Sequence, residues 1–110
     1  MRILIDECMD ERFRNALPGH DCQTARYAGF AGLKNGELLT AAETAGFEVF
    51  VTVDQGIEYQ QSLITGKLAI LILRANSNRL KDLLPLAPIC LARIKSLTPG
   101  TVIRIEAPNR

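Results

Sequence analysis

Two acids stand where apolar runs stop: Asp6 directly after Arg2-Ile3-Leu4-Ile5, and Asp54 directly after Phe47-Glu48-Val49-Phe50-Val51-Thr52-Val53. Glu7 follows Asp6, and Glu37 lies in the first turn of a helical stretch. Carboxylates gathered in one place repel, by roughly 4 kcal/mol for two unit charges about 4 Å apart at an effective dielectric near 20. That is a large share of the roughly 5 to 15 kcal/mol that holds a domain together. A fold that gathers them must spread them apart, protonate one, supply an Arg or Lys, or bind a divalent cation. Mg²⁺ or Mn²⁺ suits an all-oxygen site with few protein ligands and several waters. Such an ion could activate water and stabilise charge on a phosphoryl group, the chemistry of phosphodiester hydrolysis. The simpler use of either aspartate is to cap the helix that follows it.

Further donors come later in the chain. Arg74 directly follows a third apolar run, and Asn76-Ser77-Asn78-Arg79 precedes a helix, so Arg74, Asn76 and Arg79 could contact phosphates. The plainer alternative is a solvated loop with Ser77 or Asn78 as N-cap. Tyr59, in Tyr59-Gln60-Gln61, could stack on a base. Other chemistries find little support. His20 is the only histidine, which excludes a multi-histidine metal site and argues against a histidine triad; it reads as a turn residue in Pro18-Gly19-His20-Asp21. Cys8, Cys22 and Cys90 are odd in number and lack zinc spacing, which fits a reducing cytoplasm.

The elements that must position these residues alternate. Residues 2–5 read as a strand, and residues 9–17 as a helix with Met9, Phe13 and Ala16 or Leu17 on one face, closed by Pro18-Gly19. Residues 22–25 give a weak second strand. After Gly29-Phe30-Ala31-Gly32, Asn35 is the expected N-cap of a helix through about Ala45, ended by Gly46, with Leu38, Leu39, Ala42 and Ala45 as its apolar face. Residues 47–53 form the strongest strand of the first half. Leu68-Ala69-Ile70-Leu71-Ile72-Leu73 is apolar without alternation, as a strand covered on both faces should be. Residues 78–97 carry helical spacing, broken by Pro85 and Pro88, and residues 101–105 give a last strand.

This order predicts an α/β fold: a parallel sheet with helices on both faces. In such sheets the functional crevice lies beyond the carboxyl ends of the strands, where strand order reverses. If strands one and three are neighbours, as in the order 2-1-3-4-5, Asp6 and Asp54 face each other across it, with Glu37 held at the positive end of a helix dipole.

The 110 residues suffice for one domain, 1–110, with a core that needs no disulfide. With 47% hydrophobic and 23% charged residues, the chain is expected to be a compact soluble globule. No apolar run approaches the roughly 20 residues that span a bilayer, and no secretory signal pattern opens the chain, so a cytoplasmic protein with no membrane contact is expected. The net charge of +1 advertises no polyanion partner, yet it conceals a division. Residues 1–60 carry ten acids and five bases, whereas residues 61–110 carry eight bases and two acids.

Taken in order, Ile3-Leu4-Ile5-Asp6-Glu7, Gly19-His20-Asp21, Asn35-Gly36-Glu37-Leu38-Leu39 and Phe50-Val51-Thr52-Val53-Asp54-Gln55 resemble the small stand-alone PIN-like proteins of bacteria. That family is described by its domain rather than by established function, and its members are linked to toxin–antitoxin operons. The resemblance spans nearly the whole chain through short motifs. It implies a three-layer α/β/α sandwich with a mostly parallel, roughly five-stranded sheet, an acidic Mg²⁺ or Mn²⁺ site, and cleavage of single-stranded RNA. By position, Asp6, Glu37 and Asp54 would be the catalytic metal ligands, Glu7 a neighbour, and an antitoxin protein the partner. Many relatives carry acids where this chain has Asn35 and Gly56, so the site here is thinner; Glu58, one helical turn from Asp54, could compensate.

Three function classes follow. The first is a metal-dependent endoribonuclease, the toxin member of a two-gene system. The second is a degenerate, non-catalytic module of the same fold, acting through an antitoxin-like or homodimeric partner or by binding nucleic acid. The third is a receiver-like phosphoacceptor, which is disfavoured because Glu106 stands where the last strand should deliver a lysine.

Overall fold

A computed structural model describes residues 1–57 and 67–107. Five parallel strands make one sheet: β1 (Arg2–Ile5), β2 (Asp21–Thr24), β3 (Val49–Thr52), β4 (Ala69–Arg74) and β5 (Val102–Glu106), in the order β2-β1-β3-β4-β5. The order reverses between β1 and β3, the two strands that lead to Asp6 and Asp54. Their register pairs Ile5 with Val51, and the Asp6 amide donates to the Val51 carbonyl at 3.0 Å. Among the described residues the α-helices are α1 (Asn35–Thr44), α2 (Leu80–Leu83) and α3 (Ala87–Lys95).

Period-two alternation divides the strands between two cores. Ile3, Ile5, Val49, Val51, Leu71 and Leu73 meet Phe13, Leu83, Leu86, Cys90 and Ile94 on one face. Leu4, Phe50, Ile70 and Ile72 meet Leu38, Leu39 and Ala42 of α1 on the other. From Ala69 to Leu73 every β4 residue is buried, which is why its sequence shows no polar face. A fully buried Leu or Ile side chain contributes about 1.5 to 3 kcal/mol, so this central strand is the costliest place for a polar substitution.

Where the elements differ from the sequence reading, local chemistry explains the difference. Residues 9–17 form only a 3-10 helix, Glu11–Ala16. Asp10 caps it by accepting from the Arg12 amide, but Leu17 precedes Pro18 and leaves the helical region, at φ −119° and ψ 64°, which stops any continuation. The N-cap of α1 is Lys34 rather than Asn35, which is already helical. Phe47 is not a strand residue. It completes the end of α1, its amide bonding to Ala42 O while Gly46, at φ +88°, bonds to Glu43 O, a Schellman motif. Arg2 seals this end from β1, with its guanidinium 4.4 Å above the Phe47 ring and Nη1 bonded to Ala45 O. Pro85 and Pro88 act as expected: α2 passes through a 3-10 turn, Leu84–Leu86, into α3. Gly19 has φ +87°, and the His20 ring meets the N-terminal ammonium at 3.3 Å. No helix among the described residues is long and apolar enough to cross a membrane.

Candidate functional site

Asp6 leaves β1 level with Thr52 of β3. Thr52 is the one polar residue in β3 and is fully buried. Its hydroxyl donates to Asp6 Oδ2 at 2.7 Å and accepts from the Asp54 amide at 3.0 Å. One buried hydroxyl thus ties the Asp6 carboxylate to the backbone of Asp54 beyond the neighbouring strand. Cys8 adds a second donor, its Sγ lying 3.2 Å from Asp6 Oδ2. Among the described residues both donors reach Oδ2, which leaves Oδ1 for another partner.

The Cys8 thiol is pushed up from 9.0 to about 11, first by its sheltered sulfur and then by the adjacent Asp6 charge. At neutral pH it is therefore a hydrogen-bond donor and not a nucleophile. Asp54 also works locally, its Oδ1 accepting from the Gly56 amide at 2.9 Å and its carbonyl from Ile57. The adjacent Gln55 side chain spans the carbonyls of Val53 and Leu73, both at 3.1 Å, and ties the ends of β3 and β4 together.

The structure does not gather all the acids. Glu7 is exposed and leans toward the β2–α1 loop, where the Gly32 amide lies 3.5 Å from its Oε1. Glu37 sits in the first turn of α1 but shares a shallow surface groove with Phe30, Thr40, Ala41 and Thr44, on the face opposite buried Leu38, Leu39 and Ala42. Among the described residues no three His, Cys, Asp or Glu side chains converge as a metal cluster. Glu37 therefore does not complete a triad with Asp6 and Asp54: the helix phase that buries Leu38 and Leu39 turns its neighbour outward.

The basic loop after β4 does reach this edge. Asn78 Nδ2 lies 3.4 Å from the Cys8 carbonyl, so the residue 75–79 loop touches the one that carries Asp6. Asn76 and Arg79 are exposed, whereas Arg74 is 4.0 Å from Glu106 of β5. Ser77 organises the loop rather than capping α2, accepting from the Arg79 amide and donating to Asp82. Tyr59 and Glu58 lie outside the described residues. The sequence reading passed over Thr52 and Cys8. A lone hydroxyl in an apolar strand, two residues before a strand-terminal acid, was the available signal.

The charge division also becomes spatial. The acid-rich half builds β2, β1 and β3, and the base-rich half builds β4 and β5. The contact from Asn78 to Cys8 brings them together at the carboxyl edge. No protein-family model, curated protein or solved structure matches the chain.

Proposed function

We propose that the carboxyl edge of the sheet is a metal-dependent site for cleaving single-stranded RNA, on a three-layer fold of PIN-like type, and that the protein is the toxin member of a toxin–antitoxin pair. The observation that carries this reading is the placement of Asp6 and Asp54 just beyond the ends of β1 and β3, where strand order reverses, with the buried Thr52 hydroxyl bonded to the Asp6 carboxylate and to the Asp54 backbone amide. Open α/β sheets place their ligands at that position.

The donor set suits a hard cation, since Asp6 and Asp54 offer only carboxylate oxygens and Mg²⁺ commonly needs one or two of these beside its waters. Asp6 and Asp54 would hold it; bound there, Mg²⁺ or Mn²⁺ would supply an activated water and neutralise charge on the phosphoryl oxygens. Thr52 and Cys8 fix the Asp6 carboxylate through Oδ2, and Asn76 and Arg79 offer donors to substrate phosphates.

The reading is tested by incubating single-stranded RNA with purified protein and Mn²⁺ or Mg²⁺. Cleavage by the wild type and its loss in Asp6→Asn/Asp54→Asn supports it; no cleavage with either metal, or equal cleavage by the double variant, sinks it. The non-catalytic reading draws support from one observation, the absence of a third converging carboxylate among the described residues. It predicts partner binding with no Mn²⁺ affinity.

A further inference from the structure

A second cleft lies one strand away from Asp6. It runs between the 3-10 helix and β2, the edge strand, and is lined by Glu11, Arg14, Asp21, Thr24, Arg26 and Tyr27, among others. β2 pairs with β1 through Thr24 opposite Ile5, so the Thr24 end of the cleft opens at the same carboxyl edge as Asp6.

Three features of the lining stand out. Arg14 and Arg26 are exposed, and neither guanidinium meets a carboxylate within ion-pair distance among the described residues. Two other bases of the acid-rich half are engaged, Arg12 with Asp10 at 2.7 Å and Arg2 with Asp21 at 3.8 Å. Tyr27 is 80% exposed, the most exposed large hydrophobic side chain among the described residues. Its backbone is nonetheless held: the Tyr27 amide donates to Thr24 Oγ1 at 3.1 Å, and the Ala28 amide to Thr24 O at 3.0 Å. A ring presented to solvent from an anchored turn loses little freedom when a flat partner covers it.

We infer that this cleft is a nucleotide subsite for single-stranded RNA, with Tyr27 stacking a base and Arg14 and Arg26 taking the flanking phosphates. The inference rests on the carboxyl edge acting on RNA and specifies where the strand continues beyond Asp6. Guanidiniums suit phosphate through paired donors, and an aromatic face accepts any base. Glu11 and Asp21 keep the cleft from being a uniform basic strip, with Asp21 drawn to Arg2. Affinity therefore comes from two cations and one ring, a footprint sized for one or two nucleotides.

The test uses fluorescein-labelled octauridylate and the full chain in EDTA, so that binding is read by anisotropy without cleavage. Arg14→Ala/Arg26→Ala should weaken binding at least about tenfold and flatten the log–log salt slope by about 1.4, the value for two phosphates on a single strand. Tyr27→Ala should weaken binding about tenfold, and Tyr27→Phe should retain it. The chain has two tyrosines and no tryptophan, so in a Tyr59→Phe background RNA should quench the Tyr27 emission directly.

Unchanged affinity and slope in the arginine variant, unquenched emission, or no binding by the wild type overturns the inference. Binding that depends on the cleft, in a protein that never cuts RNA, would uphold the subsite and discard the cleavage reading. Cleavage with cleft variants that bind normally would do the reverse.

Discussion

Replacing Thr52 by Val keeps the shape of a fully buried side chain and removes one oxygen. That oxygen donates to a carboxylate at 2.7 Å and accepts an amide at 3.0 Å. A hydrogen bond to a charged group contributes about 1.5 to 3 kcal/mol, and the Asp54 amide, on an exposed residue, can turn to water at small cost. The expected loss is about 2 kcal/mol, which lowers the melting temperature by about 8 to 10 °C in a domain of this size. Thr52→Ser keeps both bonds and deletes a buried methyl, at about 1 kcal/mol. The two substitutions therefore make opposite forecasts under opposite accounts. If the hydroxyl matters, Val is the worse; if burial alone matters, Val is neutral or stabilising and Ser is the worse. Urea unfolding followed by circular dichroism decides between them, provided the m-value is unchanged. A Val variant as stable as the wild type would refute the claim that Thr52 holds this edge together.

Cys8 should alkylate slowly, since a thiol near 11 instead of 9.0 yields about a hundredfold fewer thiolates at pH 8. Asp6→Asn removes the neighbouring charge and should speed iodoacetamide labelling of Cys8, read by mass spectrometry. Because folding raises this pKa, the associated stability is complete below pH 9 and disappears as pH rises through 11; thermal melts across that range should show the decline. Gly56→Asp adds a carboxylate two residues after Asp54, and among the described residues its Cβ would meet Asp54 Oδ1 at an ordinary 3.5 Å. It should fold normally and tighten Mn²⁺ binding in calorimetry; unchanged affinity would count against an ion held beside Asp54. Gly46→Ala forces a side chain into φ +88° with Cβ 3.1 Å from Arg2 Nη1, and should cost about 1 to 2 kcal/mol in urea unfolding.

The sheet was legible because burial leaves a direct mark on composition. Residues 69–73 are apolar on both faces because both faces are covered, and the alternation of strands and helices restricts the topology to a few parallel orders. Short elements were less legible. Residues 9–17 show helical spacing, but six residues before a proline cannot sustain an α-helix, and Phe47 carries strand propensity yet serves a helix end. At the site, Asp6 and Asp54 could be placed because strand ends are visible in a sequence. Glu37 lies in the first turn of α1 as its sequence position implies, but one residue's helical phase, about 100°, which a sequence does not display, sets it on the face away from buried Leu38 and Leu39. Thr52 went unread because a Thr in a β-branched run counts first as a strand former. The cleft beside β2 is a tertiary product of the 3-10 helix and the edge strand, which no local pattern in the sequence marks.

The central claim is that Asp6 and Asp54 together hold one divalent ion. Electron paramagnetic resonance of free Mn²⁺, titrated with the wild type and with Asp6→Asn/Asp54→Asn, reads this directly, because bound Mn²⁺ loses its sharp six-line signal. The account predicts one ion bound per wild-type chain and none by a folded double variant. Equal binding by both proteins, or none by the wild type, would contradict it.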